Sequence, residues 1–347
     1  MRTITAKQRQ EIEDLSAEGR LGRLPVQTAE KDIHITELLK ALSSLEVHHA
    51  LFKDQDVRKE PMRHDTGIKL VFSGGTCLSK AHGLINRMSE DVDIKVVLEP
   101  AELKKSFGDR VRLKALHDEI SKVLKQLDFP LLQYDEGSNP HIRDAHRYYV
   151  VGAGYEPAYA SIPSLRPELK LELIQRNPRL PLEERQFGYL YESVAGLKSS
   201  APLSISCISV SETTAEKVIS LLRRCAYKWD GHQKKGDLDD TLVRHIYDVA
   251  RIAEKVPDYL VKARGIFQDL VISDRDEFKG QNPEFDADPV SVLKRTLVKV
   301  SKSDELKSMY ETKLLPLVFD DDQLTYEKSF SLFEGVAQSF LDSCSHL

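Results

Sequence analysis

The sequence predicts an α+β fold: a mixed β-sheet with flanking helices over roughly residues 25–205, then a mostly helical C-terminal domain. Two observations carry this. Leu169–Gln175 (LKLELIQ) alternates strictly, with Leu169, Leu171 and Leu173 on one face and Glu168, Lys170 and Glu172 on the other, the pattern of a half-buried strand. After Ser211 the apolar period changes from two residues to 3.6, and helical patterns run almost to the C-terminus. A third stretch, Val71–Val97 (VFSGGTCLSKAHGLINRMSEDVDIKVV), reads as an apolar lead-in, a Ser73–Thr76 turn, a helix from about Cys77 and a strand carrying Asp91 and Asp93. Residues 1–205 and 206–347 are the expected domains.

The 347 residues suffice for one large core or two medium ones, and 41% hydrophobic with 30% charged residues is ordinary for a globular chain. A formal net charge of −5 argues against a nonspecific nucleic-acid coat while leaving room for a local basic groove. Cys77, Cys207, Cys225 and Cys344 lie far apart without a C-x-x-C pair, which speaks for a reducing compartment and against a zinc or disulfide framework. No apolar run reaches the roughly 20 residues of a membrane span, and the charged start lacks a signal-peptide core. The expectation is a cytoplasmic protein with no membrane partner.

In chain order, residues 6–18 form a charged helix broken by Gly19 and Gly22. Thr28 is the expected cap of a second helix, whose Ile35, Leu38, Leu39, Leu42 and Leu45 share one face, with Glu30-Lys31-Asp32 as its charged first turn. Residues 51–67 read as a loop. A charged helix follows the Asp91–Asp93 strand near 101–127, with Gly108 as the expected point of interruption. Tyr134–Arg143 reads as a polar linker, His146–Gly152 as a strand, and Pro178, Pro181 and Pro202 mark the end of the first domain. Helices are expected at 212–228, 238–254, 256–270, 290–300, 303–315 and 325–343, with Trp229–Asp240 as a polar loop.

The chemistry concentrates in the Val71–Val97 stretch. Residues two apart on a strand share a face, so Asp91 and Asp93 project together, and adjacent carboxylates repel unless a cation lies between them. Hard oxygen ligands suit Mg²⁺. Gly74 and Gly75 allow close backbone approach, and free N–H groups at the start of a helix favour an anion. Metal beside phosphate is what a nucleoside triphosphate requires.

The string GGTxLSK…R-x-SEDVDI resembles the nucleotidyltransferases of the AbiEii/AbiGii toxin family, relatives of the polymerase-β-like minimal nucleotidyltransferases. The resemblance covers residues 28–97 well, 165–255 moderately and the ends loosely. It implies a polymerase-β-like core and Mg²⁺-dependent transfer of NMP from an NTP to an acceptor. The enzyme would be the toxin of a toxin–antitoxin, phage-defence (abortive infection) system with a cognate antitoxin encoded nearby. RNA is the first expectation for the acceptor, at a tRNA 3′ end, and a protein hydroxyl is the other.

For single residues, the resemblance implies Asp91, Asp93 and Glu172 as metal ligands, with Glu168 competing for the third place and Lys170 available to phosphate. Gly74, Gly75, Thr76, Lys80, Arg87 and Ser89 would bind the triphosphate, although Arg87 is also explained by a helix dipole. Glu30-Lys31-Asp32 resembles the E-K-D that precedes the Gly-Gly motif in many members of the family, so a functional role stands beside the charged first turn. Lys217 and Asp248 would complete the catalytic set in a shared cleft with Asp91 and Asp93. Their structural alternative is an interhelical ion pair remote from the sheet. The roles of Arg244 and His245 stay open, because this region departs from the family's Arg-Asp spacing. Two other functions share the core: a nucleotide-binding regulator without turnover, and an aminoglycoside-type small-molecule nucleotidyltransferase. The first has no need of a carboxylate triad, and the second requires an acidic pocket.

Overall fold

The computed structural model describes residues 1–51, 62–65, 67–99, 108–133, 137–160, 162, 165–232 and 241–344. They form two compact units: Met1–Ala81 with Ser89–Pro178 and Leu182–Cys207, and His82–Met88 with Arg179–Pro181 and Ile208–Leu347.

The first unit is built on a sheet. Its strands are β1 (His48–Leu51), β2 (Met62–Asp65), β3 (Ile68–Ser73), β4 (Asp91–Leu98), β5 (His141–Arg143), β6 (Tyr148–Gly154), β7 (Glu168–Gln175), β8 (Glu183–Phe187) and β9 (Leu203–Cys207). β1 and β2 form a separate antiparallel pair, and the other seven lie in the order β5-β6-β7-β4-β3-β9-β8. β4–β7 and β3–β9 are parallel and the remaining neighbours antiparallel, so the sheet is mixed. Val92, Ile94 and Val96 of β4 and Leu169, Leu171 and Leu173 of β7 are buried. Alternation therefore puts Asp91, Asp93 and Glu172 on the opposite face. Helices α1 (Ala6–Ala17), α2 (Val26–Ser43), α3 (Gly74–Lys80), α4 (Asp109–Gln126) and α5 (Leu190–Val194) complete this unit.

The second unit is helical: α6 (Val210–Trp229), α7 (Arg244–Lys255), α8 (Tyr259–Glu277), α9 (Pro283–Ala287), α10 (Pro289–Val300), α11 (Asp304–Met309) and α12 (Tyr326–Asp342). Among its described residues no strand is formed, only an isolated bridge between Arg87 and Val318.

Several expected boundaries differ. β2 and β5 fall in stretches expected as loop or linker, while β1 (but for Leu51), β8 and β9 fall where no element is expected; HIR of β5 and EERQF of β8 are short and polar and impose no apolar alternation. The sixth strand begins at Tyr148 rather than His146, since Asp144, Ala145 and His146 all take positive φ in a tight turn. Helix α2 starts at Val26 after an extended Pro25, so Thr28 is not its cap and Glu30–Asp32 lie beyond its first turn. Gly108 caps α4 instead of interrupting it; the expected helix at 101–107, part of the 51–67 loop, 134–136 of the linker and 233–240 of the polar loop lie outside the described residues.

His34 on α2 is fully buried against Phe129 and Tyr155, and neither ring nitrogen has a hydrogen-bond partner. Burial, aided by Arg2 and Lys31, lowers its pKa to about 3. Above pH 6.5 the ring is neutral in both folded and unfolded chains. As pH falls from 6.5 towards 3, the unfolded ring takes a proton that the folded ring refuses, and stability is lost. At pH 5 the expected loss is about 2 kcal/mol, with His117, lowered to about 4, adding to it. Thermal melts of wild type and His34→Leu between pH 7.5 and 5 check this: the variant should lose less stability over that interval.

Candidate active site

The site in the first unit follows from strand register. Asp93 is the Cα partner of Glu172 across the parallel β4–β7 pair, and Asp91 is the partner of Lys170. In-register partners point to the same face, about 4.8 Å apart. Three carboxylates and one ammonium thus share a half-exposed patch. Lys170 Nζ lies 3.4 Å from Glu172. Its pKa reports the local field: burial opposes the charge, but Asp91, Glu172 and Asp93 outweigh burial and hold the pKa above the ordinary lysine value. Glu168, the competing third ligand, pairs with Arg166 at 3.3 Å and sits two registers further along. Asp91, Asp93 and Glu172 put hard oxygens on one sheet face, a donor chemistry that suits a divalent cation, although their oxygens do not all converge within 4.8 Å of one another.

The Gly-Gly turn presses against this row. Ser73, the partner of Asp93 across β3–β4, donates its hydroxyl to the Asp93 carbonyl at 3.1 Å. Gly74 has φ +74°, and a Cβ there would collide with the Asp93 carboxylate, so both conformation and space demand glycine. Thr76 donates its hydroxyl to the Asp91 carbonyl and ties the turn to β4. The helix expected from Cys77 already begins at Gly74, because the turn is its first turn.

Lys80, expected at phosphate, is buried and pairs with Asp32, donating also to the Gly188 carbonyl at 3.2 Å. Asp32 belongs to the Glu30-Lys31-Asp32 run of α2, which is wholly buried rather than a solvated turn. Glu30 accepts from the Ala158 N–H at 2.6 Å. Lys31 donates to Glu90 at 3.0 Å and to the Arg166 carbonyl at 2.9 Å. Asp32 accepts from Leu190 N–H at 2.7 Å as well as from Lys80. The three consecutive charges bind α2 to the residue preceding β4, to the approaches of β7 and to α3. Sequence periodicity gave no sign of this, because charged residues read as exposed.

In the second unit, Arg87, Lys217 and Asp248 meet. Asp248 is fully buried and takes two bonds from Arg87, Nε at 2.7 Å and Nη2 at 2.6 Å, plus Lys217 Nζ at 2.9 Å. Burial alone would raise its pKa, but Arg87 and then Lys217 outweigh it and hold the carboxyl well below the usual range. Arg87 is not at a helix end: its segment is extended, bridged to Val318, so the dipole explanation does not apply. Helix α6 is capped by Ser209, whose hydroxyl accepts from Glu212 N–H, so Lys217 is eight residues in, past any penalty from the helix N-terminus. His245 is half-buried, and desolvation of its ring is the main cause that lowers its pKa well below the ordinary histidine value. Ser89 is half-buried in the first unit.

A mixed sheet with carboxylates in register on adjacent strands, a glycine turn against them and a helical second unit are what the resemblance to nucleotidyltransferases leads one to expect. The family model for the nucleotidyl transferase AbiEii toxin of type IV toxin–antitoxin systems matches residues 62–323, and the chain belongs to that family. Among solved structures it is similar to MenT4, a nucleotidyltransferase toxin from Mycobacterium tuberculosis H37Rv. That match has 17% identity and TM-score 0.54, covering 96% of this chain and 90% of the other, a likeness of fold. No curated protein matches it in sequence.

Three substitutions probe the two clusters. Gly74→Ala should displace the Asp93 carboxylate and cut nucleotidyl transfer at least tenfold in a folded protein; full activity would separate the turn from the site. Asp248→Ala leaves two buried cations facing each other and should cost about 3–5 kcal/mol in denaturant melts. Lys217→Ala should cost less, since Arg87 still neutralises Asp248.

Proposed function

We propose that this nucleotidyltransferase moves an NMP from an NTP to the 3′ hydroxyl of an RNA, with tRNA as the first acceptor to test, and that its cation is Mg²⁺ held by Asp91, Asp93 and Glu172. The observation that supports this most is the register of Asp93 with Glu172, with Asp91 two residues away on the same face. Family membership brings an NTP substrate and a cognate antitoxin; the RNA acceptor and the identity of the metal are the proposal.

Each group has a task in this reading. The bound cation supplies Lewis acidity towards the phosphates and lowers the pKa of the acceptor hydroxyl. Gly74 and Gly75 present backbone without side chains to the triphosphate, and Thr76 holds that turn on β4 through the Asp91 carbonyl. Lys170 offsets part of the carboxylate repulsion. Lys80 acts through Asp32 and Arg87 through Asp248, as positioning residues. Lys217 is the cation that the resemblance assigns to the reaction, with Asp248 orienting it.

The test incubates purified protein with each α-labelled NTP, Mg²⁺ and total RNA. Label should enter RNA, and Asp93→Ala should abolish it while far-UV CD and melting temperature stay unchanged. Label in protein would replace the acceptor. No incorporation from any NTP would remove the reading, and a fully active, soluble Asp93→Ala would remove the carboxylate row from it.

A further inference from the structure

The face that carries Asp93 and Glu172 continues across two more strands. One cross-strand row reads Ser73, Asp93, Glu172, Val150, His141, and its neighbour ends in Ile174, Tyr148, Arg143. All lie within the first unit. At the edge the Arg143 guanidinium lies over the Tyr148 ring, 3.9 Å from its centroid, and the His141 ring stands edge-on to Tyr148 with centroids 6.2 Å apart. His141 and Arg143 are exposed, and Tyr148 and Val150 are part-exposed. One guanidinium and two aromatic rings are thus grouped about one to two strand spacings, or roughly 5–10 Å, from Glu172 at the end of the carboxylate row.

The edge is held firmly. Asn139 donates to the Leu132 carbonyl at 2.7 Å and to the Gly152 carbonyl at 2.8 Å, and accepts from Gly152 N–H at 3.0 Å, which clips the start of β5 onto β6. The turn from β5 to β6 runs through Asp144, Ala145 and His146 at φ 53°, 53° and 73°, unusual for residues other than glycine. His146 Nδ1 meets His117 Nδ1 of α4 at 3.1 Å and anchors that turn. Strained backbone of this kind persists where the surroundings over-determine it.

Position gives the edge its role. In phosphoryl and nucleotidyl transfer, the attacking hydroxyl and the leaving group lie on opposite sides of the phosphorus. The glycine turn, which would take the leaving phosphates, borders the row at its Ser73 end. The acceptor therefore comes from the Glu172 end, and the first surface beyond Glu172 is the Tyr148–Arg143–His141 edge. Stacking rings with adjacent cations suit unpaired bases and their phosphates, since every base has a π-face and each linkage a negative charge.

We propose that Tyr148, Arg143 and His141 form the acceptor platform: they bind the single-stranded 3′ end of an RNA, bases on the rings and phosphate on Arg143. This rests on the nucleotidyl-transfer reading for its consequence but not for its measurement. The first experiment is fluorescence anisotropy with a 5′-fluorescein single-stranded RNA oligonucleotide carrying a free 3′ hydroxyl, on the whole chain without NTP. Arg143→Ala and Tyr148→Ala should each weaken binding on the order of tenfold. Arg143→Ala should also flatten the slope of log K against log salt by about 0.7, one phosphate contact. Tyr148→Phe, which keeps the ring, should retain the affinity. The second experiment measures steady-state transfer: Arg143→Ala should raise KM for RNA and leave KM for NTP as it was.

Unchanged RNA affinity in both alanine variants overturns the platform. So does a rise in KM for NTP alone, which would put these residues on the donor side, or label entering a protein acceptor at an undiminished rate in Arg143→Ala. If wild type transfers no nucleotide at all, the activity reading fails, and the anisotropy still decides the platform.

Discussion

The first unit is governed by three carboxylates held in register on adjacent strands. Two unit charges at a strand spacing repel by about 3 kcal/mol at the effective dielectric of a protein surface. Asp93 and Glu172 stand at that spacing and Asp91 is one strand repeat away. A sheet with this row in it needs rigid support from behind and a cation in front. Support comes from the apolar layer of Val92, Ile94, Leu171 and Leu173, each at most 1% exposed. Lys170 supplies part of the positive charge, and Asp91, Glu172 and Asp93 together raise its pKa against the effect of burial. Gly74 is the same constraint seen from the side: the carboxylate of Asp93 occupies the volume a side chain would take.

Buried ion pairs fix the elements around that row. Lys31, with no exposed surface, joins α2 to Glu90, the residue before β4, and Lys80 joins α3 to Asp32. A well-packed apolar contact would give comparable stability, and what a charge pair adds is geometry, because a buried charge tolerates few partners. The second unit uses the same device on α7. Asp248 holds Arg87, one turn on Arg251 binds Asp320 at 3.1 Å and Glu254 at 2.7 Å, and Lys255 donates to the Leu84 carbonyl at 3.1 Å. The two segments so gripped also bond to one another, Met88 N–H to the Leu317 carbonyl and Phe319 N–H to the Asn86 carbonyl, both at 2.9 Å. One polar ridge on a single helix thus fixes two extended segments that have no sheet to join.

The strands that carry chemistry were the legible ones. β4 and β7 alternate cleanly because one face is apolar and the other ionic, and that alternation located Asp91, Asp93 and Glu172 on one face. β5 and β8 were invisible for the converse reason: HIR and EERQF lie at the two edges of the sheet, where neither face is deeply buried and no period is imposed. Charge misled most where it was buried. Glu30-Lys31-Asp32 looks like a solvated turn to any hydropathy argument, and only partners distant in sequence make it a core. The sixth helix starts two residues before the expected 212: Ser209, Ser211, Thr213 and Thr214 all suit a helix start, and the Ser209 hydroxyl accepting from Glu212 N–H makes the choice.

Net charge is a poor guide to the ligands of such a surface. A formal charge of −5 spread over 347 residues opposes a polyanion weakly and everywhere. What a nucleotide or RNA meets is local, because fields from exposed charges fade over about 8 Å at physiological ionic strength. Arg143 and His141 lie two strand spacings from Glu172, roughly 10 Å and just beyond that range, so the Arg143 charge offsets the row only weakly. Row and edge act as two separate fields on one sheet face. In the proposed reading the negative one would concentrate a divalent cation, and the positive one would hold a phosphate that the negative one would repel. A uniformly basic face could do the second task but would weaken the first. Arg143 and His141 on an edge strand, with uncharged Val150 between His141 and the carboxylates, keep the two apart.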